Sequence, residues 1–124
     1  MAELGYCTVG SNRLTEAKAF YDALLASASI LPVFEHRSGG RVYGKNGKIC
    51  FGVVGPYKGN PATIGNGSMF GFRFDTRAEV DAFYAKALAL GAVDERAPGE
   101  RAPSYYFCYF RDLEGNKLCA FSNG

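Results

Sequence analysis

The stretch "AFYDALLA" at Ala19 to Ala26 returns as "AFYAKALA" at Ala82 to Ala89, 63 residues further on. The same offset carries "LGYCTVG" at Leu4 to Gly10 onto "GSMFGFR" at Gly67 to Arg73. Later in each copy, "NGKIC" at Asn46 to Cys50 answers "GNKLC" at Gly115 to Cys119, so the repeat spans nearly the whole chain. Each copy reads as a strand, a helix and three further strands, βαβββ. A unit of about 60 residues with a single helix covers only one face of its sheet and is marginal alone, whereas two such units make a domain. The predicted class is therefore α+β. Two βαβββ modules in tandem, approximately residues 1–55 and 67–124, form curved mixed sheets around a cleft with the helices outside. The turn-rich segment 56–66, "GPYKGNPATIGNG" with its flanks, joins them.

Periodicity places the elements. Leu14, Ala17, Phe20 and Leu24 recur at helical spacing, as do Val80, Phe83, Ala87 and Leu90. Thr76 and Glu79 form a capping-box pattern at the start of the second helix, and Gly91 is a favoured residue just past its end. Strands are predicted over "ILPVFEHR", "GRVYG", "KICFGVV", "SMFGFRF", "AVDER", "SYYFCYF" and "KLCAF", with tight turns at Lys45 to Gly47 and Glu114 to Asn116. "GERAP" at Gly99 to Pro103 and "GPYKGNPATIG" read as loops near the mouth of the cleft. Side chains alternate between sheet faces, so Phe70, Phe72 and Phe74 belong under the helix while Met69, Gly71 and Arg73 point the other way. By the repeat offset, Tyr6 and Thr8 share that second face.

Composition excludes several function classes. The net charge is +2, with no basic stripe or acidic run to suggest a nucleic-acid partner. No stretch of about 18 apolar residues occurs, and the N-terminal residues lack a basic region followed by an apolar core, so a membrane span or secretion is not expected and the chain reads as cytoplasmic. Cys7, Cys50, Cys108 and Cys119 are scattered without a CxxC pair, which fits reduced thiols in apolar strands better than disulfides or a structural zinc site.

The duplicated βαβββ pattern, with "TVGSNRLTEAKAFYDALL", "GNPATIGNGSMFGFR" and the closing "FRDLEGNKLCAF", resembles the vicinal oxygen chelate superfamily of glyoxalase I, bleomycin-resistance proteins, fosfomycin-resistance enzymes and extradiol dioxygenases. Its enzymes are similar in placing metal ligands, His or Glu, on the first and last strands of each module, facing the cleft. By that resemblance the first-strand positions fall on Tyr6 and Met69, and the last-strand positions on Cys119 and approximately Cys50. None is His, Asp or Glu. Phenol and thioether are poor donors for Mg, Mn or Fe, so the resemblance here implies neither a metal centre nor another cofactor. Two thiols and a thioether suit only a soft ion such as Cu(I), and small apolar side chains filling a vestigial site are the favoured account of them.

Ligand-binding candidates are Tyr6, Thr8, Cys50, Met69, Arg73 and Cys119, with Arg73 able to fork onto a carboxylate or phosphate. In "SYYFCYF" one face carries Tyr105, Phe107 and Tyr109 and the other Tyr106 and Phe110, and one of the two could stack a planar ligand. No catalytic residue is assigned. His36, between Glu35 and Arg37, reads as a partly exposed strand residue, and Cys119 lacks the adjacent base a nucleophile needs. The favoured reading is a homodimer, by family habit, or a compact monomer that binds a small organic molecule without metal chemistry in an aromatic, Arg73-bearing cleft. A divergent glyoxalase-type lyase or isomerase would need unusual metal ligands or a proton-transfer pair such as Tyr6 with a carboxylate. A non-catalytic dimeric interaction module is the third possibility.

Overall fold

A computed structural model describes residues 1–124. The chain divides into two compact units, residues 1–64 and 65–124, so the segment expected to join the modules belongs mostly to the first.

In the first unit β1 (Cys7–Gly10) leads into α1 (Leu14–Ala26), followed by β2 (Leu31–Glu35), β3 (Arg41–Lys45) and β4 (Lys48–Val54). The strands form a mixed sheet in the order β1-β4-β3-β2, with β1 parallel to β4 and the other pairs antiparallel. A helix of 13 residues is marginal in water by itself, so α1 depends on its apolar stripe. Leu24 and Leu25 are fully buried, and the Tyr21 ring lies 5.1 Å from that of Phe51 on β4. Asp22 of α1 accepts from the hydroxyl of Tyr43 at 2.7 Å and from Arg41, which also binds Glu35. These contacts fix the helix over the face of the sheet that carries Val9, Tyr43, Phe51 and Val53. Asn46 and Gly47 both have positive φ, the two-residue hairpin turn expected there.

In the second unit β5 (Phe70–Arg73) leads into α2 (Arg77–Ala89), then β6 (Val93–Ala102), β7 (Tyr105–Arg111) and β8 (Lys117–Ser122). The sheet order, β5-β8-β7-β6, is that of the first unit with each strand in the equivalent place. Thr76 and Glu79 close the predicted capping box, and Gly91 ends the helix at φ 105°. Phe72 and Phe74 pack on Phe83 of α2, with ring centroids 5.6 and 5.0 Å apart. β6 is longer than "AVDER": it runs on through "GERA", expected as a loop, because shifts of register between Asp94 and Ala102 let an irregular sequence follow β7 as an edge strand. At the β7–β8 turn, Asp112 Oδ1 accepts from the backbone N–H groups of Glu114, Gly115 and Asn116.

Candidate functional site

In the first unit the face of the sheet opposite α1 forms the floor of an open cleft of about 1130 Å³. Tyr6, Thr8 and Gly10 line it from the first strand and its approach, as the alternation expected for "LGYCTVG" requires. Across the sheet Thr8 stands in register with Gly52, and Gly52 with Val42, so a glycine lies between two cleft-facing side chains and keeps the floor low there. A Cβ added to Gly52 would meet methyl groups of both neighbours at 3.4 Å.

The cleft is polarised along the strands. β1, β2 and β4 run in one direction, since β2 and β4 are each antiparallel to β3 and β1 is parallel to β4. Tyr6 and Ile49 therefore mark one end, and the other is built where those strands finish, from His36, Arg37 and Ser38 and from residues after Val54. There Ser38 is a hub. Its backbone N–H donates to His36 Nδ1 at 3.1 Å, its hydroxyl lies 2.8 Å from the same nitrogen, and that hydroxyl accepts from the backbone N–H of Gly55 at 2.9 Å. An Nδ1 that accepts from the backbone places the ring proton of neutral His36 on Nε2. The wall is completed by Pro56 to Thr63, anchored where the Asn12 amide donates to Ala62 O at 3.0 Å and accepts from Ala62 N at 2.6 Å.

Charge in this lining is of one sign. Arg37 and Lys58 contribute to it, and no aspartate or glutamate does. The carboxylates of the unit that form ion pairs are engaged elsewhere: Glu35 and Asp22 with Arg41, Glu35 also with Lys18, and Glu3 with Lys48. Neither Arg37 nor Lys58 has an ion-pair partner.

The other residues singled out in the sequence fall in different surroundings. Cys50 is exposed and outside the cleft lining, because a register irregularity sets Gly44 opposite Ile49 and Tyr43 opposite Phe51, leaving Cys50 without a cross-strand partner. In the second unit Met69 is half exposed just before β5, and Cys119 pairs with Gly71 on the face away from α2. A Cβ on Gly71 would lie 3.0 Å from the Cys119 sulfur, so the glycine is what makes room for the thiol. Burial pushes the Cys119 thiol up to about 11, and it does the same for Cys108 on the helix side. Arg73 departs from the expectation of an open fork: its guanidinium already bonds Asp75 and Asn123, each at 3.1 Å. Tyr6 has no hydrogen-bonding carboxylate beside it.

The sequence placed the 56–63 segment in a loop near the cleft mouth and His36 on a partly exposed strand, but gave neither of them, nor Arg37 and Ser38, a part in binding. Period-two alternation from Phe34 reaches His36 and signals its face, but no local pattern announces that Asn12 captures Ala62 fifty positions away.

The Glyoxalase/Bleomycin resistance protein/Dioxygenase superfamily pattern matches residues 3–120. The chain belongs to this superfamily. A glyoxalase/bleomycin resistance protein from Albidiferax ferrireducens T118 is similar at 39% identity over 95% of this chain and 96% of that one, with a TM-score of 0.86. A glyoxalase/bleomycin resistance protein/dioxygenase family enzyme from Burkholderia phytofirmans PsJN (23% identity, 99% and 100% covered, TM-score 0.78) shares the fold. So does a lactoylglutathione lyase from Agrobacterium tumefaciens (19%, 98% and 94%, 0.73). No curated protein matches the chain.

At the positions that the resemblance associates with metal ligands in this superfamily, this member carries no His, Asp or Glu. Within neither unit do three His, Cys, Asp or Glu side chains gather. The positions that the resemblance indicates offer an exposed phenol, an exposed thioether, an exposed thiol outside the cleft and a buried thiol that stays protonated at neutral pH. Hard or borderline divalent ions select against such a set.

Proposed function

We propose that this superfamily member is a binding protein that holds a small organic molecule in the cleft of its first module without a metal centre. The observation that carries this reading is the open cleft lined by Tyr6 and Thr8, two positions singled out for binding, in a chain whose other positions indicated by the resemblance carry only sulfur donors. The cleft has the composition of a ligand site: apolar walls with a few convergent polar groups. Ligand binding here is a matter of shape and hydrogen bonding, with Tyr6, Thr8 and the His36 ring able to donate. Tyr6 has no carboxylate beside it, and His36 Nδ1 already accepts from the Ser38 backbone. A homodimer and a cytoplasmic location belong to the same reading; sedimentation tests the first. No helix of the chain is long and apolar enough to cross a membrane.

Elemental analysis of freshly purified protein, paired with a thermal-shift screen of small organic compounds, tests the reading. The expected result is no stoichiometric transition metal, and at least one compound that raises the Tm of the wild type but not of Thr8→Phe, whose ring would fill the cleft floor. Stoichiometric Zn, Ni, Mn or Fe, or compounds that stabilise both proteins equally, would overturn it.

A further inference from the structure

The charge of the cleft identifies a ligand class. We infer that the first module's cleft selects an organic acid: an apolar, preferably aromatic body bearing one carboxylate, with the carboxylate at the Arg37 and Lys58 end. The inference rests on the cleft reading above and adds to it the sign and position of the ligand's charge.

Three observations converge. The charged side chains of the lining are all cations, and neither Arg37 nor Lys58 is neutralised by the protein, whereas the ion-paired cations of this module, Lys18, Arg41 and Lys48, are held by its own carboxylates. Glu35, two residues before Arg37, is drawn to Arg41 and so cannot fold back to cancel the charge. An unpaired guanidinium in a concave site is suited to a planar carboxylate, to which it presents two parallel N–H donors.

The second observation is that Ser38 occupies His36 Nδ1, which leaves a donor, Nε2–H, as the remaining polar group of the neutral ring. A ligand that accepts hydrogen bonds is matched there, and one that only donates is not. The third is the polarity along the strands. His36, Arg37 and Lys58 cluster at the end where β1, β2 and β4 finish, while Ile49 and the Tyr6 ring lie at the opposite end, so an amphipathic ligand has a preferred orientation. Phe34 and Val42 line the floor between them, an apolar surface for the ligand body. A singly charged group suffices: no helix start lines the cleft to supply the run of backbone N–H groups that commonly holds a phosphate.

Calorimetric titration of the full chain with naphthoate, naphthamide and naphthylmethylammonium, at low and high ionic strength, tests this. The three probes share one ring system and differ in charge. Naphthoate should bind about tenfold more tightly than the amide at low salt, as one or two partly exposed charge-assisted hydrogen bonds would give, and the ammonium most weakly. The preference should shrink as salt rises. In Arg37→Gln/Lys58→Gln the acid should lose its advantage over the amide and the two should bind alike; both sites are exposed, and an unchanged Tm confirms folding. Lys86→Gln, on α2 of the other module, should leave the preference intact. Equal binding of acid and amide to the wild type, a preference for the ammonium, or a preference that survives the double variant would overturn the inference. If all three probes bind equally and Thr8→Phe abolishes that binding, the anion assignment falls while the cleft reading stands. If none binds, the anion assignment falls, and the cleft reading is decided by the thermal-shift screen.

Discussion

The two modules share a strand order, a helix position and a repeat of sequence, yet they treat the sheet face opposite the helix in contrasting ways. In the first, that face is a cleft with Thr8, Gly52 and Val42 across its floor. In the second, the equivalent face carries a stack of its own aromatics: Phe107 lies parallel to Phe121 at 4.8 Å and is flanked by Tyr105 and Tyr109 at 6.3 and 6.1 Å. Arg101 and Lys117 sit over the Tyr109 ring, so cations here are engaged by a π face. The repeated "AFY" shows the same divergence on a smaller scale. Tyr21 is buried in its module's core, whereas Tyr84 sends its hydroxyl to Asp94 at 2.8 Å, and desolvation, helped by that carboxylate, pushes it up to about 12. Of the two repeated scaffolds, one presents an open cleft on this face and the other covers its face with its own aromatic rings.

The largest expected effect concerns the strand-joining turns. The first module relies on the backbone geometry of Asn46–Gly47, whereas the second adds a buried carboxylate, Asp112, to a positive-φ glycine, Gly115. Asp112→Ala removes the acceptor of three backbone donors and of the Asn116 amide, and should cost about 3 kcal/mol in denaturant-induced unfolding. A cost below about 1 kcal/mol would mean that water replaces the carboxylate and that the two turns are energetically alike. Next comes the contrast between faces. Phe121→Ala should destabilise by about 2 kcal/mol because it opens the stack, whereas Phe34→Ala on the half-exposed cleft side should stay within about 0.5 kcal/mol. Equal losses would erase the distinction between a filled and an open face.

Helix starts offer a finer comparison. Only α2 has a capping box, and Thr76→Ala should cost about 1 kcal/mol. The modules also match in electrostatics: Glu35 is held below the usual carboxylate range by its hydrogen bond to Arg41, and Glu95 by its hydrogen bond to Arg111. A carboxylate with a lowered folded pKa stabilises above its unfolded value and loses that contribution as pH falls through the folded one. The Tm advantage of wild type over Glu35→Gln or Glu95→Gln should therefore be present at neutral pH and vanish once the pH drops well below about 4. An advantage that persists in acid would contradict the ion-pair assignment.

Much of the architecture was legible in the sequence because its signals are local. The repeat, the helical spacing of Phe20 and Leu24, the Thr76–Glu79 box and the alternation of Phe70, Phe72 and Phe74 each report a backbone conformation within a few residues. Tyr6 and Thr8 followed from the same alternation. What was not legible depends on distant partners or on irregular pairing. A bulge beside Gly44 took Cys50 out of the expected position, Asp75 and Asn123 occupied Arg73, and β6 continued through a segment that looks like a loop. The cationic end of the cleft was hidden for a related reason: it is assembled from the end of β2 and a connecting segment pinned by Asn12, far apart in the chain.

The most direct test of the contrast between the modules is an amide NMR titration of this 13.4 kDa chain with naphthoate. The account predicts shift changes concentrated at residues 6–10, 34–38 and 55–63, with β7 and β8 unperturbed. Changes centred on Tyr105 to Tyr109 and Cys119 to Phe121 would contradict it.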